Sequence, residues 1–282
     1  MPEGDTLFLA ATRLREALAG RVLTMTDLRV PRLATVDLSG RRVTAVVPRG
    51  KHLLTRIEGG WTLHTHLRMD GQWRIHPVGE PWDGGPDWQI RAVLGTEEGA
   101  AVGYRLPVVE LLRSDAEGQV VGHLGPDLLG PDWDPAEALR RLLAIPGRPV
   151  GEALLDQRVM AGVGNVYRCE LCFLRGVTPW TPVGELAQPD RLIDLAQRAL
   201  DANKLRHGHI TTGDTRPGRQ HWVYGRAGRP CLRCGTPVCV TERAEASRER
   251  VGYWCPSCQR GPSPSPSPSP PPRSRRAGPP RR

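Results

Sequence analysis

The chain has 282 residues, 39% of them hydrophobic, so it can bury the cores of two domains and a small third. Its formal net charge of +9 and pI of about 9.7 favour a polyanionic partner such as nucleic acid. It has no apolar run of about 18 residues, and its acidic start lacks the basic and apolar regions of a secretory signal. We therefore expect a cytoplasmic protein that does not contact a membrane.

The chain begins Met1-Pro2-Glu3-Gly4-Asp5-Thr6. Removal of Met1 would leave the ring nitrogen of Pro2 as an α-amine that titrates near about pH 8 and is partly neutral at physiological pH. Such an amine can attack an aldehyde-like carbon and form an iminium, with Glu3 beside it as a general acid or base. The alternative is an ordinary helix start, with proline first and an acid in the first turn.

The elements that follow change from helix to strands and back to helices. Apolar residues at helical spacing from Leu7 to Leu18 predict a first helix that ends at Gly20. Short β-branched or alternating segments then predict a β-sandwich, with 81–86 as a loop. The predicted strands are 21–25, 42–47, 52–57, 61–67, 89–94, 100–105 and 108–113. From residue 134 the period becomes helical, and the predicted helices are 135–144, 150–156, 165–174 and 189–203.

Three short motifs have candidate phosphate contacts. Lys51, in Arg49-Gly50-Lys51-His52, is one of two lysines among 39 basic residues, and it offers a mobile cation beside a glycine that permits close approach. In Gly162-Val163-Gly164-Asn165, exposed amides at a helix capped by Asn165 would suit a phosphate. Read alone, each of these two motifs favours the ordinary alternative, a solvated hairpin lysine for Lys51 and a simple turn for the glycines.

A third motif is His64-Thr65-His66-Leu67-Arg68-Met69-Asp70-Gly71. Two histidines on one strand face suit a metal, but a third ligand is lacking nearby, so a core or phosphate contact is favoured over a metal site. Met69, before a glycine turn, is either an exposed apolar wedge or part of the core.

The cysteines give the most specific pattern. Two Cys-x2-Cys pairs, Cys231/Cys234 and Cys255/Cys258, predict one structural zinc ion held by four sulfurs on a hairpin. The hairpin arm between the pairs contains Arg243, Arg248 and Arg250, which could face DNA. Cys169 and Cys172 lie in a predicted helix beside apolar residues, so we expect ordinary buried thiols.

The last segment, 261–282, has Ser-Pro repeats, five arginines and no acid, so residues 1–260 carry a net +4. Its composition predicts a disordered tail. Such a tail is either an electrostatic tether to nucleic acid or a solvated segment without a specific role.

Taken together, these motifs resemble the formamidopyrimidine-DNA glycosylase/endonuclease VIII family of base-excision repair enzymes. The matching stretches, in the family's order, are 2–6, 49–52, 64–71, 123–127, 157–167, 222–226 and the cysteine module. The start 2–6 also resembles the actinobacterial endonuclease VIII branch.

The resemblance implies an α+β chain made of four parts. These are a catalytic β-sandwich domain at 1–120, a helix–two-turn–helix DNA-binding domain at 130–225, a zinc finger at 226–260 and the basic tail at 261–282. It also implies a monomer that binds damaged double-stranded DNA between the domains, in a bacterial cytoplasm and in association with the nucleoid.

The resemblance further implies a bifunctional DNA glycosylase and abasic-site lyase that works by β,δ-elimination. Pro2 would be the Schiff-base nucleophile, Glu3 the proton donor and acceptor, and Lys51 part of the catalytic site. The implied DNA contacts are His66, Arg68, Met69, Asn165 and Arg250, of which Lys51, Asn165 and Arg250 fall on phosphate-contacting positions. No cofactor besides zinc is implied.

Oxidised pyrimidines are the preferred substrate in this interpretation, because the segment 103–109 has no Arg-Phe pair of the kind typical of formamidopyrimidine glycosylases. Three alternatives stay open. One is an 8-oxoguanine/formamidopyrimidine glycosylase, another is a member that retains only lyase activity, and the third is a non-catalytic zinc-containing DNA-binding protein. The last gives no reason for Pro2-Glu3 or Lys51.

Overall fold

A computed structural model describes residues 2–241 and 251–264. Its N-terminal part is a helix, α1 (Gly4–Leu18), and two antiparallel four-stranded sheets, in the orders β1-β6-β7-β5 and β2-β3-β4-β8. The strands are β1 Met25–Leu28, β2 Val43–Arg49, β3 His52–Ile57, β4 Trp61–His66, β5 Gln72–Pro77, β6 Ile90–Thr96, β7 Gly99–Tyr104 and β8 Val108–Arg113. The predicted β-sandwich is confirmed.

The two sheets share one core, and α1 belongs to it. The helix buries one face completely, because its apolar residues recur at the helical spacing predicted from the sequence: Leu7, Ala11, Leu14 and Leu18. These side chains pack in the same cluster as Leu53 and Leu63 of one sheet and Leu94 of the other. Burial of this face fixes the start of α1, and with it Pro2 and Glu3, relative to the sandwich.

A second core is formed by helices. They are α2 (Gly118–Val121), α3 (Pro135–Leu143), α4 (Val150–Leu155), α5 (Asn165–Leu174) and α6 (Pro189–Asp201). The four helices predicted after residue 134 are thereby confirmed to within two residues at their ends. The apolar faces of α3 and α6 meet α4 and α5 in one cluster that includes Leu142, Leu154, Tyr167 and Leu192.

A third, smaller core joins α5 to the cysteine module. Its strands are β9 (Cys239–Val240) and β10 (Tyr253–Trp254), which pair in antiparallel fashion. Cys169 and Phe173 of α5 pack with Val238 and Cys255 of the module. Cys169 and Cys172 are fully buried, as expected of ordinary thiols, and burial raises the pKa of both.

One predicted strand was wrong, and one strand of the structure was not predicted. The segment 21–25 is not a strand, because Val22 makes one isolated bridge to Arg42 and the amide of Leu23 bonds to the carbonyl of Arg41, which precedes β2. The strand that pairs with β6 begins only at Met25. Strand β5 was missed, because its exposed positions lie at an edge of the sheet and break the apolar alternation. The loop at 81–86 is confirmed.

None of the helices within 2–241 and 251–264 has the length and apolar content that a bilayer crossing requires. The division into domains at 1–120, 130–225, 226–260 and 261–282 stays a prediction. Arg243, Arg248, Arg250 and the tail from residue 265 lie outside the described residues.

Candidate active site

The site forms where the start of α1 meets the start of α5. The carboxylate of Glu3, which is fully buried, accepts hydrogen bonds from the backbone amides of Gly164, Val166 and Tyr167 at 2.6, 2.7 and 3.4 Å. These are amides that a helix N-terminus leaves without intrahelical partners. The predicted anion site of α5 is therefore filled by a side chain of the chain itself.

Two details of this loop follow from that contact. Asn165 was predicted to cap α5, but it is the first helical residue and Gly164 is the cap. A Cβ at Gly164 would lie 2.5 Å from Cδ of Glu3, so only glycine admits the carboxylate. The side chain of Gln157 holds the loop at 162–164 in place. Its Nε2 donates to the carbonyl of Val163 at 2.9 Å, and its Oε1 accepts from the amide of Gly162 at 3.0 Å.

Burial raises the pKa of Glu3 above its usual value, because the charged form is desolvated. Lys51, His209 and the amide of Val166 act in the opposite direction, and Asp5 adds to the rise. Glu3 is thus the kind of carboxyl group that can hold and release a proton within the site.

Lys51 reaches the same junction from the turn between β2 and β3. Its Nζ donates to the carbonyl of Val163 at 2.5 Å. The turn is held by Asp127, whose buried carboxylate accepts from the amide of Gly50 at 2.7 Å. Gly50 has φ +55°, and a Cβ there would lie 3.0 Å from Cβ of Ala161, so the turn passes close to the helical part. The contact between Gly50 and Asp127 therefore joins the motifs 49–52 and 123–127.

Sequence reasoning missed a buried polar group behind Glu3. The Asp5 carboxylate accepts from the Tyr167 hydroxyl at 2.6 Å and lies 2.8 Å from Nδ1 of His209. All three residues are buried, and together they join α1, α5 and the segment after α6. Asp5 had been assigned no role, because its partners lie more than 160 residues away in sequence.

A second missed carboxylate is Glu170, which is fully buried in α5. It accepts from the backbone amides of Trp222, Val223 and Tyr224 at 2.8 to 2.9 Å, and from the hydroxyl of Thr211. This arrangement explains the motif at 222–226, whose amides need an acceptor in a segment without regular secondary structure.

The loop at 68–70 stands out from the surface. Met69 is 61% exposed, so its side chain is not part of the core. Arg68 adopts φ +46°, and the amide of Gly71 closes the turn onto the carbonyl of Leu67 at 2.9 Å. Arg105, another residue that sequence reasoning missed, supports the loop by donating from Nε to the carbonyl of Asp70 at 3.1 Å.

Two of the other predicted DNA contacts, His66 and Asn165, lie near the same junction. His66 ends β4 and is half-buried. Asn165 donates from Nδ2 to the carbonyl of Val251 at 3.0 Å, while its Oδ1 is buried and has no partner among the described residues. Val251 directly follows Arg250 in sequence, and Arg250 lies outside the described residues.

The four predicted zinc ligands, Cys231, Cys234, Cys255 and Cys258, come together. Their sulfurs all lie within 4.8 Å of one another, and they are the one such group of metal-binding side chains in the part of the chain described. The Cys231–Cys258 and Cys234–Cys255 sulfurs are 4.0 and 3.5 Å apart. Four sulfurs about 2.3 Å from a tetrahedral ion would be separated by about 3.8 Å, so the group fits a metal ion.

Comparisons with known proteins agree with this architecture. Residues 1–105 match the family model described as the formamidopyrimidine-DNA glycosylase N-terminal domain. The chain is 61% identical over 278 residues to the "Probable endonuclease 8 2" of Streptomyces coelicolor, covering 98% of this chain and 100% of that protein. It is 52% identical over 260 residues to the "DNA-(apurinic or apyrimidinic site) lyase Nei2" of Mycolicibacterium smegmatis, covering 92% and 99%.

The fold is also that of a solved structure, Lactococcus lactis Fpg in complex with DNA containing an abasic site. The TM-score is 0.76 at 22% identity, over 92% of this chain and 100% of that one. A sandwich and a helical part that meet at a buried carboxylate, a four-cysteine module packed on α5, and these relatives together define the class of bifunctional DNA repair glycosylases. The chain belongs to the formamidopyrimidine-DNA glycosylase/endonuclease VIII family, and it matches the actinobacterial endonuclease VIII branch.

Proposed function

We propose that the chain is a monomeric, bifunctional DNA glycosylase and abasic-site lyase of base-excision repair that favours oxidised pyrimidines. One observation carries the proposal. The chain's own N-terminus brings Pro2 and Glu3 to the junction of sandwich and helices, where Glu3 is held by three amides and Lys51 lies beside it. A single chain supplies all three groups, which supports action as a monomer.

The first step is displacement of the damaged base. Its C1′ cannot be reached inside a stacked duplex, so the nucleotide must be flipped out. After loss of Met1, the neutral Pro2 nitrogen bonds to C1′ while the C1′–N bond to the base breaks, and the proton that the nitrogen gives up passes to the departing base. Glu3 supplies the proton that opens the sugar ring at its oxygen. The product is an iminium between Pro2 and C1′.

Strand cleavage then follows from the electron demand of the iminium. The C2′ proton becomes acidic, and its removal expels the 3′ phosphate by β-elimination. Loss of a further proton expels the 5′ phosphate by δ-elimination and leaves a one-nucleotide gap. Lys51, Asn165 and Arg250 would hold the phosphates on either side of the flipped sugar, because ammonium, amide and guanidinium groups are suited to phosphate oxygens. His66 would contact a phosphate in the same way.

The loop 68–70 is the element that we propose enters the duplex. An apolar side chain on a protruding turn can occupy the space of the flipped nucleotide, as apolar wedges do in other DNA-bending proteins. The 61% exposure of Met69 supports that role, and Arg68 would point a cation toward the phosphates. The support from Arg105 keeps the turn in its protruding conformation.

An activity panel tests the substrate preference. Duplexes that contain thymine glycol, 5-hydroxyuracil, 8-oxoguanine opposite cytosine, an abasic site or no lesion are incubated with the full chain, and incision rates are measured in single turnover. We expect abasic and pyrimidine-lesion strands to be cut with β,δ-elimination ends and the undamaged duplex to stay intact. Faster cutting of 8-oxoguanine than of every pyrimidine lesion would reverse the preference. Failure to cut the abasic strand would leave the non-catalytic DNA-binding alternative.

We further propose that Cys231, Cys234, Cys255 and Cys258 hold one zinc ion. All four positions of a tetrahedral ion are then taken by sulfur, so the metal is structural and leaves none for a water or a substrate. Its effect is on packing, because Cys255 and Cys231 belong to the core that joins the module to α5. The ion thereby supports the segment that begins at Val251 and its contact with Asn165.

Zinc content gives a direct check. The full chain is expected to release one zinc per molecule to a thiol-reactive mercurial reagent, and C258S is expected to release almost none and to bind DNA more weakly. C239S is the matched control, since Cys239 is in the module but outside the four-sulfur group. Equal zinc in C258S and the parent, measured by elemental analysis, would refute the ligand assignment.

A further inference from the structure

A row of four histidines, His64, His52, His66 and His123, lies beside Lys51, which we propose binds a DNA phosphate. Of this row, the mechanism above uses only His66. Glu110 on β8 is 2.9 Å from Nδ1 of His64 on β4. Nε2 of His64 is 2.8 Å from Nδ1 of His52 on β3. The ring of His52 then meets the rings of His66 and His123 edge-on, at 5.0 and 6.4 Å between centroids.

The partners fix which nitrogen of each neutral ring carries the proton. A carboxylate only accepts, so Nδ1 of His64 donates to Glu110 and its Nε2 must accept. Nδ1 of His52 therefore donates to His64, and Nε2 of His52 is left as the basic nitrogen. In His66 the backbone amide of Arg68 donates to Nδ1 at 2.9 Å, so Nε2 carries the hydrogen and can donate to a phosphate without protonation.

Burial and the neighbouring groups disfavour the protonated forms of His52 and His66 in the free protein. His52 faces His64 and His66 from β4, His123 from the segment after α2, and Lys51 beside it in sequence; His66 also faces Arg68. Burial, followed by the proximity of these titratable and basic groups, lowers the pKa of His52 to about 3 and that of His66 to about 4. The carboxylate of Glu110, whose side chain is 57% exposed, is the one acid in direct contact with the row among the described residues.

We propose that Glu110, His64 and His52 form a hydrogen-bonded relay that positions Lys51 and His66, here called the Lys51–His66 edge. When a DNA phosphate binds at this edge, the relay takes up one proton. The proton adds to Nε2 of His52, and the resulting cation is stabilised through His64 by the Glu110 carboxylate. A phosphate adds a negative charge beside His52, where burial and, to a smaller extent, Lys51 otherwise disfavour the imidazolium. The inference rests on the proposed function, because it assumes that this edge binds DNA.

Proton linkage tests the relay separately from catalysis. Binding of a duplex with a tetrahydrofuran abasic analogue is measured by anisotropy from pH 5 to 8 at fixed ionic strength, and by calorimetry in two buffers of different ionisation heat. The parent protein is expected to take up a proton as the pH falls below neutrality, with affinity rising up to about tenfold per pH unit. H52Q should lose at least half of that uptake, and E110Q should shift it to lower pH.

The matched control is H76Q, which alters a buried histidine of the opposite sheet and is expected to keep the parent's uptake. E110Q serves where H52Q fails to fold, since Glu110 is exposed and its amide replacement can still accept from His64. Identical proton uptake in the parent, H52Q and E110Q would overturn the relay. Incision of abasic DNA by the parent distinguishes the two failures: it persists if only the relay is wrong and is absent if the proposed function is wrong.

Discussion

Retention of Met1 is expected to abolish both abasic-site incision and the borohydride-trapped complex with DNA. With Met1 retained, the ring nitrogen of Pro2 is an amide nitrogen and cannot act as a nucleophile. The α-amine then belongs to Met1, one residue and about 3.8 Å away from the position of Pro2. The new amine would no longer be aligned with the sugar carbon that Glu3 serves. P2G keeps an amine at the right position but loses the ring that fixes its direction, so trapping should slow by up to about 100-fold.

The measurement is gel analysis of the trapped complex, with the mass of each N-terminus determined on the same preparation. P81G is the matched control, since Pro81 lies in an exposed loop and its replacement should leave trapping unchanged. Full incision by protein shown to retain Met1 would remove Pro2 from the mechanism. Trapping by P2G at the parent's rate would do the same.

The sequence predicted those parts of the molecule that local patterns encode. The periodicity of Leu7 to Leu18 determined α1, and the Cys-x2-Cys spacing determined the four-sulfur group, because each depends on residues close in sequence or on a rigid motif. Strand β5, at an edge of its sheet, was not predicted, because a strand with exposed positions on both faces shows no alternation of apolar and polar residues.

Contacts between distant segments were out of reach for a different reason. Asp5 meets Tyr167 and His209, and Glu170 meets the amides of 222–224, across separations that only the folded chain closes. The available sequence signal was chemical: an acid beside Pro2-Glu3, and an acid between the two cysteines of α5, each require a partner when buried. That signal predicts that a partner exists without identifying it.

The replacement E3Q is expected to separate the two activities. Base removal needs a proton delivered to the sugar, and loss of a general acid costs about 10²- to 10⁴-fold. Incision of a preformed abasic site needs only the amine of Pro2 to form the iminium, so E3Q should retain most of the lyase activity. Glutamine is nearly isosteric, and its one carbonyl oxygen can still accept from the amide of Gly164 or of Val166, which bond to different oxygens of Glu3.

The pH dependence follows from the direction of the Glu3 shift. Folding raises the pKa of Glu3, so the protonated acid is favoured in the folded chain and base removal should decline as pH rises through that raised pKa. The same shift contributes stability below the unfolded value of about 4.5, and this stability is lost as pH rises through the folded value.

E3Q should lose both dependences, whereas E185Q, which alters an acid in a turn outside the site, should lose neither. Single-turnover rates on thymine glycol and abasic duplexes from pH 5 to 8, with melting temperatures at the same pH values, test this directly. Equal loss of base removal and lyase activity in E3Q would show that Glu3 serves the amine itself and not proton delivery to the sugar.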